Sequence, residues 1–142
     1  MKQILIIGLC ILFSINVFSQ TKDSTVTFNV QKTEELVFVK VEQNATFQGG
    51  TIADFRNWVS TQIIYPEEAL KIEAQGMVVI QFVVSSKGIV NNLVVLRSSG
   101  YQILDNEAMR VILSSPTWVP ARQGGVEVAQ QFVLPVSFKL AP

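Results

Sequence analysis

The stretch GMVVIQFVVSSKGIVNNLVVLRSSG, from Gly76 to Gly100, decides the fold. Met77 to Ser85 is rich in β-branched residues and reads as a strand. One side presents Met77, Val79, Gln81 and Val83, and the other Val78, Ile80, Phe82 and Val84. Both sides are largely apolar, so the strand is expected to be central and covered. Ser85-Ser86-Lys87-Gly88 forms a hairpin turn, with Gly88 available for positive φ. Ile89 to Ser98 is the returning strand, and Ser99-Gly100 ends it.

Upstream, Gly49-Gly50 punctuates the chain and Thr51 begins a helix, with Asp54 three residues on in a near capping box. Ile52, Phe55, Trp58, Val59 and Ile63 recur at helical spacing and form a core-facing stripe. Tyr65-Pro66 follows. Pro66 suits the first turn of a second helix, and Glu67 and Glu68 favour its positive start. Gly76 is expected to stop that helix with positive φ. Earlier still, Thr25 to Val30 alternates, with Val26, Phe28 and Val30 on one side, and Leu36 to Val41 is a second extended candidate.

Downstream, Leu104-Asp105 opens a third helix, which Asp105 is placed to cap. Leu104, Ala108, Val111, Ile112 and Ser115 make its inner stripe, and Pro116 stops it. Pro116 to Pro120 is a stiff connection, and Gly124-Gly125 a turn. From Val126 to Leu140 the even positions are mostly apolar and the odd ones mostly polar. Pro135 cannot donate to a ladder, which puts this last strand at a sheet edge. The fold class is α+β: a small antiparallel sheet packed against helices.

The bulk numbers exclude several function classes. With 49% hydrophobic and 15% charged residues, the chain is globular. Eleven basic and 11 acidic residues balance, so nothing points to nucleic acid. There is no His, and the one Cys, Cys10, lies in an apolar run. The usual general base and commonest metal ligand are therefore missing, and no metal or cofactor is expected. Ser85, Ser86, Ser98 and Ser99 have no His to activate them, and there is no nucleophile elbow. Glu67 with Glu68, and Asp105 with Glu107, are carboxylate pairs, but acids are ordinary at helix starts. The chain reads as non-enzymatic.

Lys2 followed by the mostly apolar run Ile4 to Phe18 reads as a secretory signal peptide over 1–19, cleaved after Ser19. Retention of residues 4–18 as an inner-membrane anchor is the alternative, although a spanning helix takes about 20 apolar residues. Residues 20–44 form a strand-like extension and 45–142 the domain.

The chain from Val41 to Leu140 resembles the C-terminal domain of TonB, the periplasmic energy transducer. The resemblance rests on VEQNATFQGG at 41–50, YPEEAL at 65–70, the strand pair at 76–100, LDNEAMR at 104–110, PTWVPAR at 116–122 and VLPVSFKL at 133–140. Its motif residues here are Tyr65, Pro66, Gly76, Leu104, Asp105, Trp118 and Pro120. It implies a periplasmic module that binds an extended segment of an outer-membrane transporter by strand addition, in TonB-dependent transport. The edge expected to bind is Val133, Leu134, Pro135, Val136, Ser137 and Phe138. An anchored component of the transducing system and a structural homodimer of the cell envelope are the alternatives. Two features depart from a complete transducer: no His is present for the motor-engaging helix, and Gln20 to Pro66 holds no proline before Pro66. Residues 20–44 could span at most roughly 80–90 Å, so no long Pro-rich linker is available. Tyr65-Pro66 is read as either a helix start or a partner contact. Trp58 and Trp118 are read as core, with an exposed Trp118 between prolines as an alternative anchor.

Processing gives the first test. The mature chain is expected to start at or within a few residues of Gln20. Mass spectrometry of the native protein checks this, and intact Met1 in a membrane fraction would establish the anchored form instead.

Overall fold

The computed structural model describes residues 35–142. The signal segment, its cleavage point and the strand-like run at Thr25–Val30 lie outside the described residues. The elements are β1 (Val37–Phe38), α1 (Ile52–Gln62), α2 (Glu67–Lys71), β2 (Gly76–Val84), β3 (Val90–Arg97), α3 (Gln102–Leu113), β4 (Ala121–Gln123) and β5 (Val126–Phe138). The sheet order is β1-β5-β2-β3, with β4 added to β5. The β2, β3, β4 and β5 pairings are antiparallel, as expected, but β1 runs parallel to β5, which makes the sheet mixed. Two residues of β1 and three of β4 are too few to show a period in the sequence. No helix among the described residues is long and apolar enough to cross a membrane.

α1 begins as its sequence predicts. The Thr51 hydroxyl accepts from Ala53 N–H at 3.2 Å, and Asp54 Oδ2 accepts from Thr51 N–H at 2.7 Å, closing the capping box. That backbone hydrogen bond from Thr51, and then the one from its hydroxyl, hold the Asp54 carboxyl below the usual carboxylate range. Phe55 and Val59 are buried, and Ile52, Trp58 and Ile63 pack against the same core. Pro66 is the N-cap of α2 rather than a first-turn residue. Gly76 does not stop α2. The helix ends at Lys71, Glu73 takes the left-handed conformation at φ 51°, and Ala74 N–H reaches back to the Ala69 carbonyl at 2.9 Å. Five residues suffice here because Tyr65 stacks edge-on against Phe138 and donates its hydroxyl to the Ala74 carbonyl.

The inner face of the sheet carries Val78, Ile80, Phe82 and Val84 from β2 and Leu134, Val136 and Phe138 from β5, all buried. Against it lie Phe55 and Val59 of α1 and Leu104, Ala108, Val111 and Ile112 of α3. The outer face corrects the expectation that β2 is covered on both sides. Among the described residues it is open toward the start of β2, with Met77 42%, Val94 48% and Val133 46% exposed, and closes at Val83, which is 6% exposed.

Asp105 corrects a second expectation. Tyr101 is the N-cap of α3, and Asp105 lies inside the helix, buried and turned toward the preceding loop. Its carboxylate accepts from Ser98 Oγ at 2.5 Å, Ser99 Oγ at 2.6 Å and Ser99 N–H at 2.9 Å. Glu107, also buried, accepts from Arg110 Nε at 2.5 Å and from Ile64 N–H at 3.2 Å, tying α3 to the connection after α1. Asp105 is an acid of the first turn, as its sequence suggests, but both acids also anchor loops to the helix.

Gly76 is required for a reason other than its φ. A Cβ there would lie 2.6 Å from the Ser99 carbonyl oxygen, in the loop that Asp105 holds. At Gly50 a Cβ would meet only the Asp54 side chain, at 2.5 Å. Gly76→Val should thus cost about 3 kcal/mol through a backbone clash, and Gly50→Ala about 1 kcal/mol through a disturbed cap. Urea midpoints measure both, and equal losses would refute the assignment.

Acid stability reports Asp105. Burial would raise its pKa, but the hydrogen bonds from Ser98 and Ser99 together prevail and hold it below the usual carboxylate range. Its stabilising contribution is therefore present above the unfolded value, near 3.9, and is lost as pH falls through the lower folded value. Asp105→Asn should lower stability at neutral pH and flatten the acid limb below about pH 4. Identical acid limbs in chemical denaturation of the two proteins would contradict this role.

Candidate functional site

β5 pairs with β2 without a break from Gly76↔Phe138 to Val84↔Gln130. Its other side is taken by β1 at Ala129 and Gln130, while β4 pairs with Val126–Val128, ahead of the stretch that meets β2. From Phe132 to Phe138 that second side has no strand partner among the described residues. Pro135 stands opposite Val79. A residue without N–H cannot complete a hydrogen-bonded pair, so Pro135 and Val79 form a non-hydrogen-bonded pair and the donorless nitrogen faces outward. Hydrogen-bonding direction alternates along a strand. The N–H and C=O groups of Val133 and Ser137 therefore point away from β2, toward the unpaired side, while those of Gln131 face β1.

The side chains follow the same parity. Leu134, Val136 and Phe138 are buried, Val133 and Ser137 are exposed, and Pro135 is intermediate. The residues expected from sequence to form a binding edge thus divide into a core-facing row and an outward row on one continuous strand. The clean alternation fails at the start of β5, where Val126 is 63% exposed, because the β4–β5 hairpin turns away through Gly124 and Gly125.

α1 runs beside this open edge. Arg56, Asn57, Ser60 and Ile63 face Pro135, Val136 and Ser137 across a cleft of about 200 Å³. Nearer the start of α1, Thr51 and Ile52 face Phe132 across a second cleft of about 290 Å³. The edge therefore forms one wall of an interrupted groove whose other wall is a helix. The polar residues of α1 lining the groove were missed in the sequence, where the side opposite the apolar stripe reads as solvated surface. Arg56 and Ser60 stand four residues apart, the spacing of one helix face, but that spacing alone does not say what lies opposite.

The other sheet edge is different. β3 meets β2 with two register shifts, one between Val79 and Ile80 and one between Gln81 and Val83. Asn92 takes φ 50° at the second. Bulges twist an edge away from a straight partner, so β3 offers no comparable row of donors.

The motif residues are mainly structural. Leu104 is fully buried and Trp118 is 2% exposed, which rules out Trp118 as an exposed anchor. Its ring lies within 4.9 Å of Phe55, centroid to centroid, and its Nε1–H donates to Ser115 Oγ. Pro120 is half-buried between the Thr46–Val119 bridge and β4. Tyr65, Pro66, Gly76 and Asp105 hold the α2–β2 and β3–α3 connections, as described above.

The family model for the Gram-negative bacterial TonB protein C-terminal matches residues 61–140. No curated protein matches the chain. Among solved structures, the chain is similar to the TonB C-terminal domain of Helicobacter pylori at 19% identity, covering 68% of this chain and 90% of that one, with a TM-score of 0.50. A shorter stretch of the same domain is 21% identical over 64% of this chain and 95% of that one, with a TM-score of 0.49. The TonB C-terminal domain of Pseudomonas aeruginosa is 26% identical over 56% of this chain and 80% of that one, with a TM-score of 0.49. The longer Helicobacter pylori domain shares the fold. The family model spans more than half of the chain, from the last residues of α1 to just past β5, and the chain belongs to the TonB C-terminal domain family.

Proposed function

We propose that the protein is a periplasmic binding module that takes up an extended segment of an envelope protein, such as an outer-membrane transporter, as an added strand along β5. The observation that carries this reading is the pair of outward backbone positions at Val133 and Ser137, without a strand partner among the described residues and flanked by α1. Strand addition supplies affinity through main-chain hydrogen bonds, and flanking clefts supply selectivity. Membership of the TonB C-terminal family supports protein–protein interaction as the activity. A purely binding role agrees with the fate of the buried acids: Asp105 and Glu107 are saturated by their own hydrogen bonds.

Ser137 provides the test. It stands opposite Met77, at the same parity as Pro135, so Ser137→Pro removes an outward donor while leaving the β2 ladder its bonds. A peptide that binds the protein should bind Ser137→Pro about tenfold more weakly, the loss of one or two hydrogen bonds. N-methylation of the peptide should weaken it more than side-chain exchange does. Fluorescence anisotropy measures affinity and circular dichroism checks the fold. Normal binding by a folded Ser137→Pro would remove β5 as the site.

A further inference from the structure

The groove beside β5 carries a single charged side chain among the described residues, Arg56. Its floor is apolar, from Val59, Ile63 and Val136, and its polar rim is Arg56, Asn57 and Ser60. Ser60 Oγ donates to the Asn57 carbonyl of its own helix at 2.7 Å, which leaves Arg56 as the strongest donor facing the cleft. Arg56 is exposed and has no ion pair or hydrogen bond among the described residues. Two carboxylates on or against α1 are committed elsewhere. Asp54, two residues away, closes the capping box at Thr51. Glu107, beyond the far end of α1, is held by Arg110 and by Ile64 N–H. Arg110 lies by the Gln62 carbonyl at 3.5 Å but is paired with Glu107, so the two charges at this end of α1 cancel.

A strand added to β5 would alternate its side chains between two environments. Those on the outer face would lie beside Val133 and Ser137, near solvent. Those on the inner face share the side of Val136 and would enter the cleft under Arg56. We infer that Arg56 selects guest segments carrying an Asp or Glu at an inward position, its guanidinium forming a charge-assisted pair with that carboxylate at the lip of the groove. This inference rests on the strand-addition reading and adds to it the chemistry of the partner: an extended protein segment that is acidic on one face.

The experiment uses the full chain and labelled seven-residue peptides of alternating Thr and Val, each with one position replaced in turn by Asp, Asn or Lys. Affinity is read by fluorescence anisotropy at low and high salt. Asp should bind about three- to tenfold more tightly than Asn, the range of a partly screened pair, and the gain should weaken in salt. The gain should appear only at every second position, because only inward side chains reach the groove. Arg56→Glu should reverse the order so that Lys peptides bind best, Arg56→Gln should abolish the difference, and Arg56→Lys should keep part of it. Arg56 is exposed on a capped helix, so these variants are expected to fold. Equal affinity for Asp, Asn and Lys peptides, or an Asp gain that Arg56→Gln leaves intact, would overturn the role of Arg56 while leaving strand addition standing. Failure of every peptide to bind the wild-type chain would overturn both.

Discussion

The structure depends on one cluster of aromatic rings. Trp118 meets Phe55 at 4.9 Å, Phe132 at 5.4 Å, Phe47 at 5.6 Å and Phe82 at 6.0 Å, centroid to centroid. These rings come from the segment before α1, from α1 itself, from β2 and from β5. Tilted and edge-on pairs of this kind each add about 0.5–1.5 kcal/mol beyond area burial. The Trp118 backbone is fixed as firmly as its ring, because its N–H donates to the Gly88 carbonyl at 2.8 Å. Gly88 can be nothing else: its φ is 81°, and a Cβ there would lie 2.0 Å from the Trp118 carbonyl oxygen. The β2–β3 turn, the connection after α3 and the base of α1 are thus held by one contact set. The distance between α1 and β5, and with it the groove, is a consequence of how these rings pack.

An open strand edge is a hazard, since any extended chain can pair with it. β5 carries two features that limit such pairing. Pro135 removes one donor from the outward row, so a guest must tolerate a gap. α1 stands beside the edge, so a guest must also fit its inward side chains beneath a helix. β3 is defended by distortion instead, through its two register shifts and the left-handed Asn92. The contrast is physical: one edge is bent out of use, whereas the other is kept straight over nine pairs with β2 and narrowed by its surroundings.

Features that depend on neighbours in sequence were legible from the chain alone. The Thr51 capping box, the Ser85–Gly88 turn and the even-face burial of β5 are each set by residues a few positions apart. Features that depend on distant partners were not. Asp105 reads as a cap because acids favour helix starts, yet its hydrogen bonds run to Ser98 and Ser99 across a loop. Gly76 reads as a helix stop, yet what requires it is the Ser99 carbonyl 23 positions later. The TonB-like motif order brought the fold within reach, and Pro135 pointed to an edge strand, although β5 lies between β1 and β2 in the sheet order and is open only beyond the short β1. Arg56 carries no such mark. Its neighbour across the groove is a strand some 80 residues downstream, and nothing local connects them.

The division of labour along the groove follows from these constraints. Backbone pairing to β5 is nearly blind to sequence, since every guest residue except proline offers the same N–H and C=O. Selectivity must then come from side chains that leave the ladder plane. On the outer face they meet Val133 and Ser137 with solvent beyond, where little distinguishes one guest from another. On the inner face they meet a wall whose position the aromatic cluster fixes before any guest arrives. A preformed wall needs no ordering of its own, so the entropy lost on association falls mainly on the extended guest. A single guanidinium on such a wall can therefore discriminate in a way that an equally exposed Arg on a mobile loop would not.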